Sequence, residues 1–335
     1  MKKRLGPVAL TLLLSGIALD SQARLPTFIA IVREDGGLVP IAIFDGREWW
    51  NRWPWSEEDG PASKVPVPES LDAIPADWLP PAIRLPREWT LHLLDGGRRK
   101  IQIDRPFRPP GWTLVETIVL RSTYASRAIR QGLSDGSDDV GVAIAGPGRI
   151  GMFSTPSASE SQRILAQLRQ KLAEVEQKAI QDWETARAQS AGEHSAPATL
   201  TRTHWGEPTD PFSLVKATRP FRGRTYYFLD GGTLYFVGGD ARYPEGCKLN
   251  VSVSGVVVAQ PDRGVVSEKV SAHGYAEYCG DRPGWMTLLA TLEVNGGVLW
   301  IVRTSVEDGF DYALFDPDAN DPVPLKDEWR LRSNR

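Results

Sequence analysis

Cysteine is nearly missing from this chain. In 335 residues only Cys247 and Cys279 occur. That excludes a CxxC redox pair and a thiolate-rich structural zinc site, which needs four clustered nitrogen or sulfur ligands. Histidine is almost as scarce, and His92, His194, His204 and His273 stand far apart with no zinc spacing. There is no G-x-S-x-G elbow, no P-loop and no dinucleotide fingerprint. Past the first two dozen residues no apolar run approaches the roughly 20 residues that a membrane-spanning helix needs. Basic runs are lacking too, and the formal net charge is -3. A nucleic-acid surface wants a basic stripe, so nucleic acid is not expected as a partner. No resident cofactor or metal is implied, and catalysis is not indicated.

What the chain does have begins with an address. Lys2, Lys3 and Arg4 precede an apolar stretch, Leu5 to Leu19, and Ser21-Gln22-Ala23 offers small residues where a signal peptidase reads. Residues 1–23 are therefore expected to be a signal peptide cleaved near Ala23, giving a secreted or periplasmic protein. In such an oxidising compartment the even cysteine count favours a Cys247–Cys279 disulfide. Chain entropy alone would make it worth about 3–4 kcal/mol.

Residues 156–190 form the one long stretch with helical periodicity. Leu165, Leu168, Leu172, Val175, Ala179, Trp183 and Ala186 recur at gaps of three and four. Ser157 followed by Glu160 has capping-box spacing. A rod of this length would run on the order of 50 Å. The gaps are too irregular for a strict coiled-coil seam, so the stripe is expected to pack on the chain's own sheets, with docking of a partner as the alternative.

Everything else reads as short strands. Asp35-Gly36-Gly37, Asp95-Gly96-Gly97, Asp230-Gly231-Gly232, Asn295-Gly296-Gly297 and Asp308-Gly309 each stand between apolar or β-branched runs. Such pairs favour hairpin turns, because they accept positive φ at little cost. The expected fold is mainly β: antiparallel, hairpin-rich sheets in two halves, separated by the long amphipathic helix. The hairpin turns near positions 45, 95 and 147 recur about every 50 residues, so an irregular β-propeller is the alternative. The expected divisions are an N-terminal β domain over 24–155, a Pro-rich covering segment within it over 59–88, the helix, a linker over 191–199, a C-terminal β domain over 200–325 and a charged tail over 326–335.

The most unusual local feature is Trp49-Trp50-Asn51-Arg52-Trp53-Pro54-Trp55. Four indoles in seven residues, beside Asn51 and Arg52, could form a stacking platform for sugar rings, and an exposed aromatic patch usually has a use. Packing is the competing account, because each indole buries a large area. The platform requires Trp50 or Trp53 to be exposed. Two acidic loops, Asp316 to Asp321 and Asp135 to Asp139, lack calcium-ligand spacing and read as solvated turns. The sequence therefore points to an exported, non-catalytic envelope or binding protein, with a glycan or another envelope component as partner. The alternatives are a hydrolase of extracellular polysaccharide, with two converging carboxylates, and a scaffold docking through its helix.

Overall fold

The structure, a computed structural model, describes residues 25–51, 53, 65–108, 118–124, 139–191, 199–203, 212–238, 248–277, 286–306 and 309–326. The leader and both cysteines lie outside these residues, as do Arg52, Trp55, Trp205 and Trp285. No helix among the described residues is long and apolar enough to cross a membrane.

The first half supplies strands β1 (Thr27–Arg33), β2 (Gly37–Phe44), β3 (Trp49–Trp50), β4 (Glu88–Leu93), β5 (Arg98–Phe107), β6 (Val119–Ser122) and β7 (Asp139–Ala145). They pair antiparallel in the order β1-β7-β4-β5-β6-β2, and β2 returns to β1. The result is a closed six-stranded barrel, with β3 added beside β2. A closed sheet has no blades, so the propeller alternative is set aside. The turns at Gly36 and Gly96 take φ of 84° and 93°, as those hairpins require. Phe28, Ala30, Val32, Trp89, Leu91, Leu93, Ile101 and Ile103 fill the barrel. The Pro-rich segment lies against that core, as expected: Trp78 and Leu79 are buried in it, and Leu71, Ile74 and Ile83 pack on it.

The continuous apolar run of β1 has a simple cause. Phe28, Ala30 and Val32 point into the barrel, while Ile29 and Ile31 point out, and both sets are buried. The outer set meets a five-stranded sheet built from β15 (Met286–Val294), β16 (Gly297–Val306), β17 (Gly309–Asp316), β18 (Asp321–Pro322) and β8 (Arg149–Gly151). Leu289, Ala290, Leu292, Ile301 and Leu314 form that contact.

The other face of this central sheet carries Trp300, Val302 and Phe315. These pack on Tyr226, Phe228, Val256 and Val258 of a third sheet. The third sheet runs β14-β13-β12-β11-β9, with β10 also on β12. Its strands are β9 (Phe153–Ser154), β10 (Thr199–Thr203), β11 (Phe212–Ala217), β12 (Thr225–Gly238), β13 (Lys248–Gln260) and β14 (Gly264–Glu277). Helix α1 (Ala158–Ala191) covers its far side. Ile164, Leu165, Leu168 and Leu172 meet Tyr227, Leu229, Val253 and Val257, and Ala179 meets Leu249 and Val251 further along. The period-two alternation of β12 thus serves two layers at once.

The helix separates the halves along the chain but not in space. It is the outermost of four layers, and the two halves touch directly through the barrel wall and the central sheet. Strands β8 and β9, which fall within the stretch 24–155, pair with β15 and β11 of the second half. One turn expectation fails outright. Asp230-Gly231-Gly232 runs straight through β12, opposite Ser254, Val253 and Ser252. A Cβ on Gly232 would sit 2.7 Å from the carbonyl oxygen of Val251. That glycine serves close strand approach rather than a reversal.

Candidate functional site

The described part of the tryptophan-rich stretch is built into the protein. Trp50 is 4% exposed and Trp53 is 2% exposed. The Trp50 indole N–H donates to Asp45 Oδ2 at 2.8 Å, and Lys326 Nζ stands 4.3 Å from its ring centroid. The Trp53 indole N–H donates to the Ile118 carbonyl, and the ring meets Trp78 edge-on at 5.3 Å. Asn51 is buried too, its Oδ1 accepting from the Trp53 amide at 3.3 Å. Trp49 lies half-buried on the other side against Phe44. The requirement that Trp50 or Trp53 be exposed is not met. Strand β3 ends at Trp50, so the period-two alternation that would have split the rings into an inner and an outer face stops there. Both rings then close one end of the barrel. Arg52 and Trp55 lie outside the described residues.

Asp45 and Glu48, the carboxylates next to these rings, have structural duties. Asp45 Oδ1 accepts from the amides of Arg47 and Glu48 at 2.7 and 2.9 Å. Burial works against its charge, but those two amides, the Trp50 indole and the Arg47 charge hold its carboxyl below the usual range. Glu48 pairs with Lys326 at 3.0 Å. Among the acidic loops, Asp316 Oδ1 accepts from the Asp318 and Ala319 amides, which makes it a turn residue. No group of acidic or histidine side chains among the described residues is arranged to hold a metal ion.

A different place has the geometry of a site. Where the barrel rim meets the central sheet there is a cleft of about 490 Å³. The barrel contributes Glu34 from the β1–β2 turn, Leu94 from the β4–β5 turn and Asp139 from the start of β7. The central sheet contributes Thr287, Leu288, Leu289 and Arg303, and the crossing segment adds Met152 and Phe153. Asp139 is the pivot. Its side chain is 4% exposed, with Oδ1 accepting from the Tyr312 hydroxyl at 2.7 Å and Oδ2 from Arg303 Nη1 at 3.0 Å. Burial, and then the charge and hydrogen bond of Asp139, push the Tyr312 hydroxyl far above its usual range, against the pull of Arg33 and Arg303. Tyr312 therefore remains a neutral donor at any physiological pH. The two halves of the chain are pinned together by this network at the edge of the cleft.

Sequence reasoning reached Asp139 only as part of an acidic loop, and Asp135 and Asp138 lie outside the described residues. It missed Arg303. The available signal was a lone guanidinium in the apolar strand Val298-Leu299-Trp300-Ile301-Val302-Arg303. A charge there must find a partner or reach water.

The comparisons with known proteins add no relative: no family model, no curated protein and no solved structure matches this chain.

Proposed function

We propose that this is an exported, non-catalytic binding protein of the cell envelope or its exterior, and that a glycan docks in the cleft between barrel and central sheet. The observation that carries this reading is the wall of that cleft. Planar polar groups on Glu34 and Arg303 and the Thr287 hydroxyl stand beside the apolar surfaces of Leu94, Leu288 and Phe153. Sugar hydroxyls want the first set and pyranose C–H faces the second. The volume lies in the range of small-ligand pockets, roughly 300–1,000 Å³. Binding is favoured over catalysis because both oxygens of Asp139 are already engaged with Arg303 and Tyr312. Such a carboxylate is a poor proton shuttle. Export is supported by the leader pattern of Lys2 to Ala23. The scaffold reading loses ground because α1 spends its apolar stripe on the chain's own sheet.

A glycan-array screen of the purified protein tests the proposal, paired with Thr287→Trp, which fills the cleft from an exposed position. Retained glycans should lose at least tenfold in affinity in that variant at unchanged melting temperature. A blank array, or a variant that binds like wild type, contradicts it. A polysaccharide hydrolase is the second reading, because Glu34 and Asp139 line one cleft. New reducing ends after incubation with a retained polymer, abolished by Glu34→Gln, would favour it instead.

A further inference from the structure

A second cleft, of about 250 Å³, opens elsewhere, walled by Pro147, Gly148, Arg149, Phe221 and the β15–β16 turn from Glu293 to Gly297. Its chemistry differs from the first. Arg149 is exposed and sits opposite Glu293 where β8 pairs with β15. Arg222 lies over the Phe221 ring, its Cζ 5.0 Å from the centroid. The Arg222 Nη2 is 3.2 Å from where a Cβ on Gly296 would stand, so the guanidinium lies beside the turn. Neither arginine makes an ion pair with a carboxylate among the described residues. Arg219, whose Cδ is 3.8 Å from the corresponding point at Gly151, carries positive charge further along β8. On a chain of formal net charge -3 this local excess of guanidinium is a specific feature.

The turn itself is a tight hairpin reversal. Asn295 and Gly296 take φ of 50° and 73°, and β15 and β16 pair on either side of them. That puts Asn295 and the glycine backbone at one edge of the cleft. Arg149, Glu293 and Asn295 line the cleft, and the Arg222 guanidinium stands at its edge beside Gly296. Guanidinium forks match a carboxylate in bidentate fashion and do so better than any other side chain. Glu293 can only accept, so it suits hydroxyl donors. The Asn295 amide can do either.

The geometry points to a binding site for an acidic sugar: the carboxylate of a uronic or sialic acid residue on Arg149 and Arg222, with ring hydroxyls on Glu293 and Asn295. A simple inorganic anion would leave Glu293 facing it, and a neutral sugar would leave both guanidiniums without an acceptor. The volume suits one sugar ring, below the roughly 300 Å³ at which drug-sized pockets begin. This site stands independently of the first cleft.

Isothermal titration of the purified protein tests it, with trigalacturonate, triguluronate and sialyllactose as acidic probes, maltotriose as the neutral one and inorganic phosphate as competitor. At least one acidic probe should bind and weaken as salt rises. The double variant Arg149→Gln, Arg222→Gln should lose tenfold or more with its melting temperature unchanged, since both side chains are exposed. Thr287→Trp, in the other cleft, should leave this binding intact. The inference is overturned if no acidic probe binds, if maltotriose binds as well, or if phosphate displaces the sugar at equal concentration. It is also overturned if the double variant binds like wild type, or if Thr287→Trp abolishes binding.

Discussion

The barrel and the layered C-terminal half hold themselves together in different ways. In the barrel each strand has a neighbour on both sides, so backbone pairing fixes the geometry and the interior is left to apolar packing around Phe28, Trp53 and Trp89. The layers have no such closure. Flat apolar faces can slide, and here every joint that stacks one layer on the next carries a tyrosine hydroxyl donating to a carboxylate. Tyr227 donates to Glu160 at 2.6 Å and Tyr235 to Glu176 at 2.7 Å, both between α1 and its sheet. Tyr226 donates to Asp318 at 3.1 Å between the two C-terminal sheets. Tyr312 donates to Asp139 at 2.7 Å between the central sheet and the barrel. The lesson is a division of labour: area supplies the stability of these joints, and directional bonds to charged acceptors supply their register.

The comparison can be broken first in the barrel. Trp53→Ala removes a nearly fully buried ring with no second element to take its place, and should cost about 3–5 kcal/mol by chemical denaturation. A cost under about 1 kcal/mol would mean that the barrel end is not packed as described. Next comes the joint between the halves. Asp139→Ala removes the acceptor that Arg303 and Tyr312 share and should cost about 3 kcal/mol. Limited proteolysis should then show the halves coming apart while each retains its β signal.

The third test uses pH at the helix joint. Hydrogen bonds from Lys216 and then from Tyr227 hold the Glu160 carboxyl below its usual range. A carboxylate whose folded value is depressed adds stability above its unfolded value, and that stability is lost as pH falls through the folded one. Wild type should therefore lose melting temperature between neutral pH and about pH 3, and Glu160→Gln should lose less over the same range. Parallel curves would mean that Glu160 does not carry this pH dependence. The smallest effect is expected at Trp300. Its ring is boxed by Phe153, Phe228 and Phe315. Its indole nitrogen is buried without a hydrogen-bond partner among the described residues. Trp300→Phe removes that unmet donor and should stay within about 1 kcal/mol of wild type. A larger loss would show that ring area outweighs the stranded N–H.

The turns were the most legible part of this chain, because Asn-Gly and Asp-Gly pairs report a backbone need that few other residues meet. Gly36, Gly96 and the Asn295–Gly296 pair answer to it. Gly232 shows the ambiguity: a glycine that lets two strands approach looks the same in sequence as one that reverses the chain. The helix was legible from its stripe, with one slip at the end, where Ala186 is exposed and Arg187 is buried in its place. Barrel closure was not legible, since it depends on β1 pairing with both β2 and β7 across more than a hundred residues. For the same reason the cleft was out of reach. Glu34, Asp139, Thr287 and Arg303 are neighbours only after the halves meet, and Trp50 and Trp53, which drew attention, are buried in the barrel core.

Methyl-labelled NMR offers the most direct test of the central claim, that a ligand seats where barrel and central sheet join. Leu94, Met152 and Leu288 place their methyl groups around that cleft. On titration with a glycan retained by the array, these three should shift together and saturably, while the core leucines Leu91 and Leu120 stay still. Shifts that bypass all three, or that gather at the barrel end around Leu79, would contradict the account.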